Sequence, residues 1–519
     1  MVQRRRNIAT IYNATMYRFE KTNSRQRFAP ARKAGANEHC GRFCVPQTLV
    51  EKLNDFLHRQ IARMNMPPSG HGAKAPGVPG NWNILFDYLH KESITSSPKP
   101  VVFPAHNDRP KFFNMRFDPC LDAPTDGRKD TFAGFGASFS FEHALSKAIG
   151  ETLERTLLSR YTRDTFVHAS YAELVRTKNR ALDVEDLNGF LSWQKELIPE
   201  LGGDRDTPLY WVAGVEYASN RATMLPAQLV FWNYVHASGP NDLPGEQILA
   251  RATTNGSAGH FTYPEAVLGG LLESIQRDGF LIYWLNRLSP PVIDVRVAES
   301  ERIRTLLSYL DRYRLEALFL NTTTDVGVPS ITCVIIDRTG EAPVISLGGA
   351  AGFDLDEMVE HSALEALIHS ALAARREPYD LPDDYRPLAD TSLTRQQRIG
   401  LWRGSDMFAK FEFLISGTKQ PVGDFVPQTM PQTPRDQLAY VLGRFEKLGK
   451  GYEVYVYTPR HKVLDAIGYT VARTIVPQLV PLYFAEFAVP LDSRRLREVP
   501  EKLGFKPAKE YNPLPHPFP

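Results

Sequence analysis

Three times along the chain a glycine-rich turn runs into a helix-forming stretch with polar, mostly acidic residues on one face. The first is Ala133 to Tyr161, AGFGASFSFEHALSKAIGETLERTLLSRY. Gly134 and Gly136 precede a helix expected to start near Ser140–Glu142. Leu145, Ala148, Ile149 and Leu153 make its apolar face; Lys147, Glu151 and Glu154 make another, with Arg155 alongside. The second is Thr254 to Trp284, TNGSAGHFTYPEAVLGGLLESIQRDGFLIYW, where Pro264 marks the helix start after Gly256 and Gly259. Glu273, Gln276 and Arg277 there repeat the spacing of Glu151, Glu154 and Arg155. The third is Leu347 to Arg376, LGGAAGFDLDEMVEHSALEALIHSALAARR. Gly348, Gly349 and Gly352 lead into a helix carrying His361, Glu365 and His369 at four-residue steps.

The residue types suggest a chemistry. Glycine lets backbone N–H groups approach an anion, and a helix N-terminus adds favourable partial charge. A phosphate chain brings magnesium, which takes a few carboxylates together with phosphate and water oxygens. Glutamates at i and i+3 on one face supply such ligands, and arginines complete the charge neutralisation. Three helices of this kind converging would make a nucleotide–magnesium site. Neither a phosphate-binding G-x-x-x-x-G-K-[ST] loop nor a G-x-G-x-x-G dinucleotide fingerprint occurs.

Around these segments strands and helices alternate from about Pro98 onward. Strands are expected at Leu209–Glu216, Thr223–Trp232 (broken by Pro226), Ile331–Asp337, Ala342–Leu347 and Tyr452–Tyr457. The class is therefore α/β or α+β, with mixed sheets and long helices. Residues 1–97 read as an N-terminal extension: a basic arm over 1–35, a helical candidate Gln47–Met64 and a Pro/Gly-rich linker Met66–Gly80. The arm reads as a solvated run or as a contact for an acidic partner, and charge runs are more often solvent-facing. Residues 98–519 read as the main domain.

Lys plus Arg is 61 against 59 for Asp plus Glu, a net charge of +2, so no global charge argues for nucleic acid or a membrane surface. Four cysteines, Cys40, Cys44, Cys120 and Cys333, are too few for a disulfide framework, and Cys40 with Cys44 do not complete a zinc site. The apolar stretch Tyr469–Leu491 contains Arg473, Pro477, Pro481, Glu486 and Pro490, which a spanning helix does not tolerate. The expectation is a soluble, cytoplasmic protein. His260 and His369 read as packed or surface histidines, and Tyr283 and Trp284 as core.

The ordered set resembles the YcaO-domain family, ATP-dependent enzymes acting on peptide backbone amides. GETLER at Gly150–Arg155 is similar to the family's first Glu-x-x-Glu-Arg motif. TNGSAG with LLESIQRDGFLIYWLNRLSPP is similar to its second, and GGAAGFDLDEMVEHSALEAL to its third. PLYWVAGVEYASNRATMLPAQLV and VARTIVPQLVPLYF resemble the flanking and closing segments. The end, NPLPHPFP, resembles the PxPxP tail of the azoline-forming members; composition alone would read it as a floppy polyproline II tail.

The resemblance implies a YcaO-type fold whose helices converge on an ATP site, with ATP and Mg2+ as cofactors. It implies nucleotide contacts from Ser146, Lys147, Glu151, Glu154, Arg155, Asn255, Glu273, Gln276, Arg277, His361 and Glu365. Of these, Glu151, Glu154, Glu273 and Glu365 would be metal ligands. The tail would reach the active site through Pro515, Pro517 and Pro519, with the Pro519 carboxylate as proton acceptor. The implied reaction is ATP-dependent cyclodehydration of Cys, Ser or Thr in a ribosomal precursor peptide to thiazoline or oxazoline. Thioamide or amidine formation and a non-catalytic peptide-binding scaffold are the alternatives. Four positions depart from the family pattern: Phe135, Lys147, Gln276 and His361. The implied partners are the precursor peptide, a separate E1-like leader-binding protein and a flavin-dependent azoline dehydrogenase, with a dimer inside a larger complex.

Overall fold

The computed structural model describes residues 80–103, 112–120, 133–232, 234, 246–251, 253–339, 344–373, 379–390, 393–403, 406–425 and 430–518. The basic arm, Cys40, Cys44, the expected helix Gln47–Met64, the linker from Met66 to 79 and Pro519 lie outside them. By contacts the chain divides after Leu49, and every described residue belongs to the second unit.

The strands are β1 Val101–Val102, β2 Phe113–Phe117, β3 Gly134–Ser138, β4 Val167–Ser170, β5 Pro208–Glu216, β6 Arg221–Pro226 and β7 Ser257–His260. They continue with β8 Val292–Asp294, β9 Leu315–Asn321, β10 Ser330–Asp337, β11 Val344–Ala351, β12 Lys419–Pro421, β13 Tyr455–Tyr457 and β14 Thr470–Ile475. The described helices of nine or more residues are α1 Gly80–Lys91, α2 Phe141–Leu157, α3 Tyr263–Leu285, α4 Glu301–Arg312, α5 Leu355–Ala373, α6 Pro434–Leu448 and α7 Arg494–Lys502.

Three sheets result: β1-β2-β3; β11-β10-β9-β8-β12; and β4-β5-β13-β14-β7 with β6 on β5. Pairing is antiparallel throughout the named ladders except β8 with β12. The architecture is the mixed α/β class expected. β10, SITCVIID, is buried over seven of its eight residues because both faces of its sheet are covered. Ile331, Cys333 and Ile335 face the core shared with α4 and α5, while Val334 and Ile336 face the C-terminal half of α3. The 23-residue α3 is buried on almost every side and joins two cores along its length. Tyr283 and Trp284 are in its core as expected. α1, which precedes residue 98, packs Trp82, Leu85 and Phe86 into one core with Leu145 and Leu153 of α2.

Two expectations need correction. The segment Thr223–Trp232 is a strand only to Pro226, where a short helix, Ala227–Val230, takes over. The glycines before the helices lie mainly in strands, not turns. Gly134 and Gly136 are in β3, Gly259 in β7, and Gly348 and Gly349 in β11. Each strand folds back beneath the helix that follows it. A Cβ on Gly136 would lie 1.8 Å from the Ala144 carbonyl oxygen, and one on Gly348 2.1 Å from that of Ser362. Bare backbone is what lets the helix lie directly on the strand. Gly256, at φ +78°, is a true turn position.

Candidate active site

The three strand–helix units β3–α2, β7–α3 and β11–α5 repeat one interaction. A glutamate in the helix turns back and accepts a backbone N–H of its own unit. Glu151 accepts from Phe135, Glu273 from Gly256 at 2.6 Å, and Glu365 from Gly349 at 2.7 Å. The departure at Phe135 therefore concerns only a side chain, since its N–H makes the contact.

Three residues further along, each helix meets the strand of the next unit. Glu154 on α2 accepts a hydrogen bond from the backbone of Gly259 in β7. Gln276 on α3 lies so close to β11 that a Cβ on Gly349 would be 1.9 Å from its Nε2. α5 closes the ring on β3, with Met358, Val359 and Ala363 sharing a core with Ala137; the residue three beyond Glu365 is the apolar Ile368. One step later come the arginines. Arg155 pairs with Glu151 at 2.5 Å and Arg277 with Glu273 at 2.8 Å, with about 30% of each glutamate side chain open to water. Arg155 also donates to the Ala133 carbonyl at 2.6 Å.

The carboxylates are close enough to disturb one another. Burial, then the charges of Glu151 and Glu273, hold Glu154 well above the usual carboxylate range. Burial raises Glu273, against the pull of Arg277 and the Gly256 N–H. Burial pushes Glu365 up to about 7; the Gly349 N–H and Arg277 oppose this, while Glu273 and Glu151 add to it. Lys147 and His361 are exposed. Desolvation by the surrounding protein, then the charge of Lys147, lowers His361, and the same crowding lowers Lys147. Ser146 is half-buried on α2 beside Lys147.

Several polar atoms here have no hydrogen-bond partner: Arg277 Nε and Nη1, Gln276 Nε2 and Asn255 Oδ1. Stranded donors beside repelling carboxylates fit an anion bound together with a cation. Among the described residues no group of three or more His, Cys, Asp or Glu stands ready to hold a metal ion by itself.

Two residues beyond the motifs join the site. Arg473 on β14 is buried and donates to the carbonyls of Leu229 (3.0 Å) and Thr253 (2.7 Å) and to Ser257 Oγ (3.2 Å). Its charge acts on Glu273, and burial brings it down to about 10. Tyr469, also near β14, packs its ring on Gly259 and lies beside Glu154. A lone arginine inside the apolar run VARTIVP was the available signal for the first.

The C-terminal segment is docked. Asn512 donates its N–H to the Leu285 carbonyl and its Nδ2 to that of Trp284, Trp402 Nε1 donates to the Pro515 carbonyl at 3.1 Å, and buried His516 meets the Tyr483 carbonyl at 2.6 Å. Phe518 packs on Phe280 with centroids 5.1 Å apart, one helical turn beyond Arg277. Pro515 and Pro517 thus lie in a strap on α3, and Pro519 is outside the described residues.

Comparison with known proteins agrees with this arrangement. The family model described as YcaO cyclodehydratase, ATP- and Mg2+-binding, matches residues 125–480. An uncharacterized protein of Methanothermobacter thermautotrophicus is 26% identical over 231 residues, 44% of this chain and 54% of that protein. An uncharacterized protein encoded in the tfuA 3′ region of Rhizobium leguminosarum bv. trifolii is 26% identical over 217 residues, 40% of this chain and 49% of that protein. The matched region thus spans about half the length of these curated relatives. Among solved structures, a heterocyclase in complex with substrate and cofactor superposes with a TM-score of 0.66 at 20% identity, covering 88% of this chain and 60% of that one. YcaO from Methanopyrus kandleri bound with AMPPCP and Mg2+ gives 0.52 at 17% identity, covering 78% and 91%. The heterocyclase TruD gives 0.54 at 17% identity, covering 91% and 70%. These likenesses establish the fold. Among the described residues no helix is long and apolar enough to cross a membrane.

Proposed function

The chain belongs to the YcaO family, and from that premise we propose that it is an ATP-dependent cyclodehydratase forming azolines in a peptide. The observation that carries the reading is the threefold unit. Glu151, Glu273 and Glu365 are fixed by their own backbone N–H donors and lie close enough for their charges to act on one another, with unpaired donors on Arg277 and Gln276.

Bound there, ATP with Mg2+ would supply the phosphoryl group that turns an amide oxygen into a leaving group. The chain's own residues do the rest. Glu151, Glu154, Glu273 and Glu365 offer oxygen donors to the cation. Arg277 Nε and Nη1 and Gln276 Nε2 offer hydrogen bonds to phosphate oxygens, so the Gln276 departure exchanges an acceptor for a donor. Arg155 holds Glu151, and Arg473, tied to three fixed acceptors, adds charge behind Glu273. Lys147, Ser146 and His361 line the side of the cleft where further phosphate or peptide contacts fall. Asn255 has an amide oxygen free for a donor on the ligand.

The tail supports the azoline branch over thioamide or amidine formation, since the strap carrying Pro515 and Pro517 is held beside Arg277's helix. The substrate in this reading is a precursor peptide rich in Cys, Ser or Thr. A separate E1-like leader-binding protein presents it, a flavin-dependent dehydrogenase follows, and the assembly works in the cytoplasm as a dimer in a larger complex. The test is to incubate the protein with ATP, Mg2+, the E1-like protein and the Cys/Ser/Thr-rich peptide encoded beside its gene. Loss of one water mass per ring, coupled to ATP consumption, is the expected result. ATP consumption with replacement of oxygen by sulfur or nitrogen would select the other branches, and absence of AMPPCP–Mg2+ binding would end the enzymatic reading.

A further inference from the structure

A cavity of about 420 Å3, lined by none of the motif residues, opens to solvent. Its walls come from residues 184–190, the short helix Ser192–Leu197, Gly202 with Gly203, and the start of α7. Backbone and amide contacts hold these pieces together. Asn188 Nδ2 donates to the carbonyls of Pro477, Gln478 and Leu479 at 3.0–3.2 Å, and Gln478 Nε2 donates to that of Asp186 at 2.6 Å. Gly189 and Asp492 exchange a pair of backbone hydrogen bonds. The cavity is thus formed before any ligand arrives.

Charges of both signs line it, and their pairing is uneven. Asp186 is held by Lys450 at 2.8 Å and Asp492 by Arg497 at 2.5 Å, while Glu185 meets Arg205 at 3.2 Å. Lys195 and Arg494 are left over: neither has a carboxylate partner among the described residues. Lys195 is exposed and runs along Gly202, where a Cβ would sit 3.3 Å from its Cε. Arg494 is half-buried; it reaches the Lys450 carbonyl at 3.5 Å, and its guanidinium is placed over the Tyr452 ring, 5.9 Å from the centroid. Both cationic heads are therefore open to a ligand. Two cations without counter-charges in one cleft draw in an anion.

The neighbouring surface narrows the kind of anion. The volume is that of a site for an organic ligand, far more than a lone phosphate fills. Half-buried Leu187 gives the wall an apolar part. On the helix that carries Lys195, Trp193 and Leu197 are 38% and 51% exposed. Large apolar side chains left open beside unpaired cations match a chain that mixes acidic and apolar residues. The structure assigns this cavity to an acidic stretch of peptide, its carboxylates meeting Lys195 and Arg494 and its apolar side chains meeting Leu187, Trp193 and Leu197. The inference deepens the function proposed above, since it names a second holding point for the substrate, and it rests on that substrate being a peptide.

The probe is a short unlabelled peptide of glutamate, leucine and glycine, titrated into the full chain by calorimetry at low salt. The expected result is binding that Lys195→Gln or Arg494→Gln weakens at least about twofold and the two together at least about fivefold. Glutamine keeps a long polar side chain and removes the charge. Lys195 is exposed, so Lys195→Gln tests the site even where the double variant fails to fold. The same peptide with glutamine for glutamate should bind at least about fivefold more weakly, and added salt should weaken the parent peptide. AMPPCP–Mg2+ affinity should stay at the parent value in every variant. Equal probe binding by the variants would place the acidic peptide elsewhere on the chain and overturn the site. Equal binding of the glutamine peptide, or displacement of the probe by equimolar inorganic phosphate, would overturn the acidic peptide as the ligand, and no probe binding would overturn both. Probe binding that Lys195→Gln weakens, in a protein that takes up no AMPPCP–Mg2+, would retain the docking site and reject the enzymatic reading.

Discussion

Glu273 accepts the amide hydrogen of Gly256 at 2.6 Å, and so ties the middle of a buried helix to the turn that precedes its own strand. The same carboxylate holds Arg277 at 2.8 Å. Glutamine at this position keeps an oxygen for the Gly256 N–H but removes the charge. Glu273→Gln should remain folded, with circular dichroism unchanged, and lose at least about tenfold in AMPPCP–Mg2+ affinity by calorimetry. Turnover should fall below detection. Glu151→Gln should behave alike, because it occupies the same place in the first unit. Parent-like affinity in both variants would remove these glutamates from the site.

Metal-free protein should lose stability as pH rises across the weakly acidic range. Burial pushes Glu365 up to about 7 in the folded chain and raises Glu154 and Glu273 as well. A raised folded value means the native state holds the proton more tightly than the unfolded chain does. The contribution is fully present below the ordinary carboxylate range and is lost as pH climbs through about 7. Discounted for water access, the Glu365 share is about 2 kcal/mol. Thermal midpoints in chelator, read at stepped pH, should fall over this window, and Glu365→Gln should flatten the fall. A midpoint that rises with pH through the window would contradict the carboxylate cluster.

Close approach of strand and helix predicts a graded response to alanine. At Gly136 the added methyl would meet the Ala144 carbonyl, which is backbone and cannot swing aside. The cost should be about 3 kcal/mol or more, seen as a lower denaturation midpoint. At Gly349 the nearest atom is the end of the Gln276 side chain, which can move. Gly349→Ala should cost less in stability and more in nucleotide affinity, since Gln276 is displaced. Equal losses at both positions would mean that the methyls are accommodated by backbone shift.

The motif residues could be read from the chain because each unit repeats its chemistry at fixed spacing, Glu151 with Arg155 and Glu273 with Arg277. The spacing also placed the helices: α2 begins at Phe141, within the expected window. What spacing could not show was the cyclic order. That Glu154 reaches Gly259 and Gln276 reaches Gly349 depends on contacts between units far apart in sequence. The sequence points these glycines to turns because their usual role is positive φ. Here most of them serve close packing, a use that leaves the same letter in the sequence. The sequence names Arg473 only as a charge in an apolar run, because two of its three partners are backbone carbonyls, and a backbone carbonyl has no residue signature. Prolines in NPLPHPFP announced an irregular tail, and only the structure places His516 and Phe518 in a core.

The docked strap makes the last prediction. Phe518 is 2% exposed and packs on Phe280, and His516 is fully buried against Tyr483, Phe280 and Phe484. Burial, with the charges of Arg398 and Arg277 nearby, holds the His516 imidazole well below its ordinary range, so it is neutral at physiological pH. Phe518→Ala empties an aromatic site and should cost about 3 kcal/mol. His516→Phe strands the Tyr483 carbonyl and adds volume in a fully buried site, at about 1–3 kcal/mol or more. Both should raise hydrogen exchange at the described amides from Tyr511 to Phe518 while leaving β10 protected. Phe280 lies one turn past Arg277 on α3, so a loosened strap should lower turnover with little change in ATP affinity. Unchanged exchange in the strap of the Phe518→Ala protein would show that other contacts hold it.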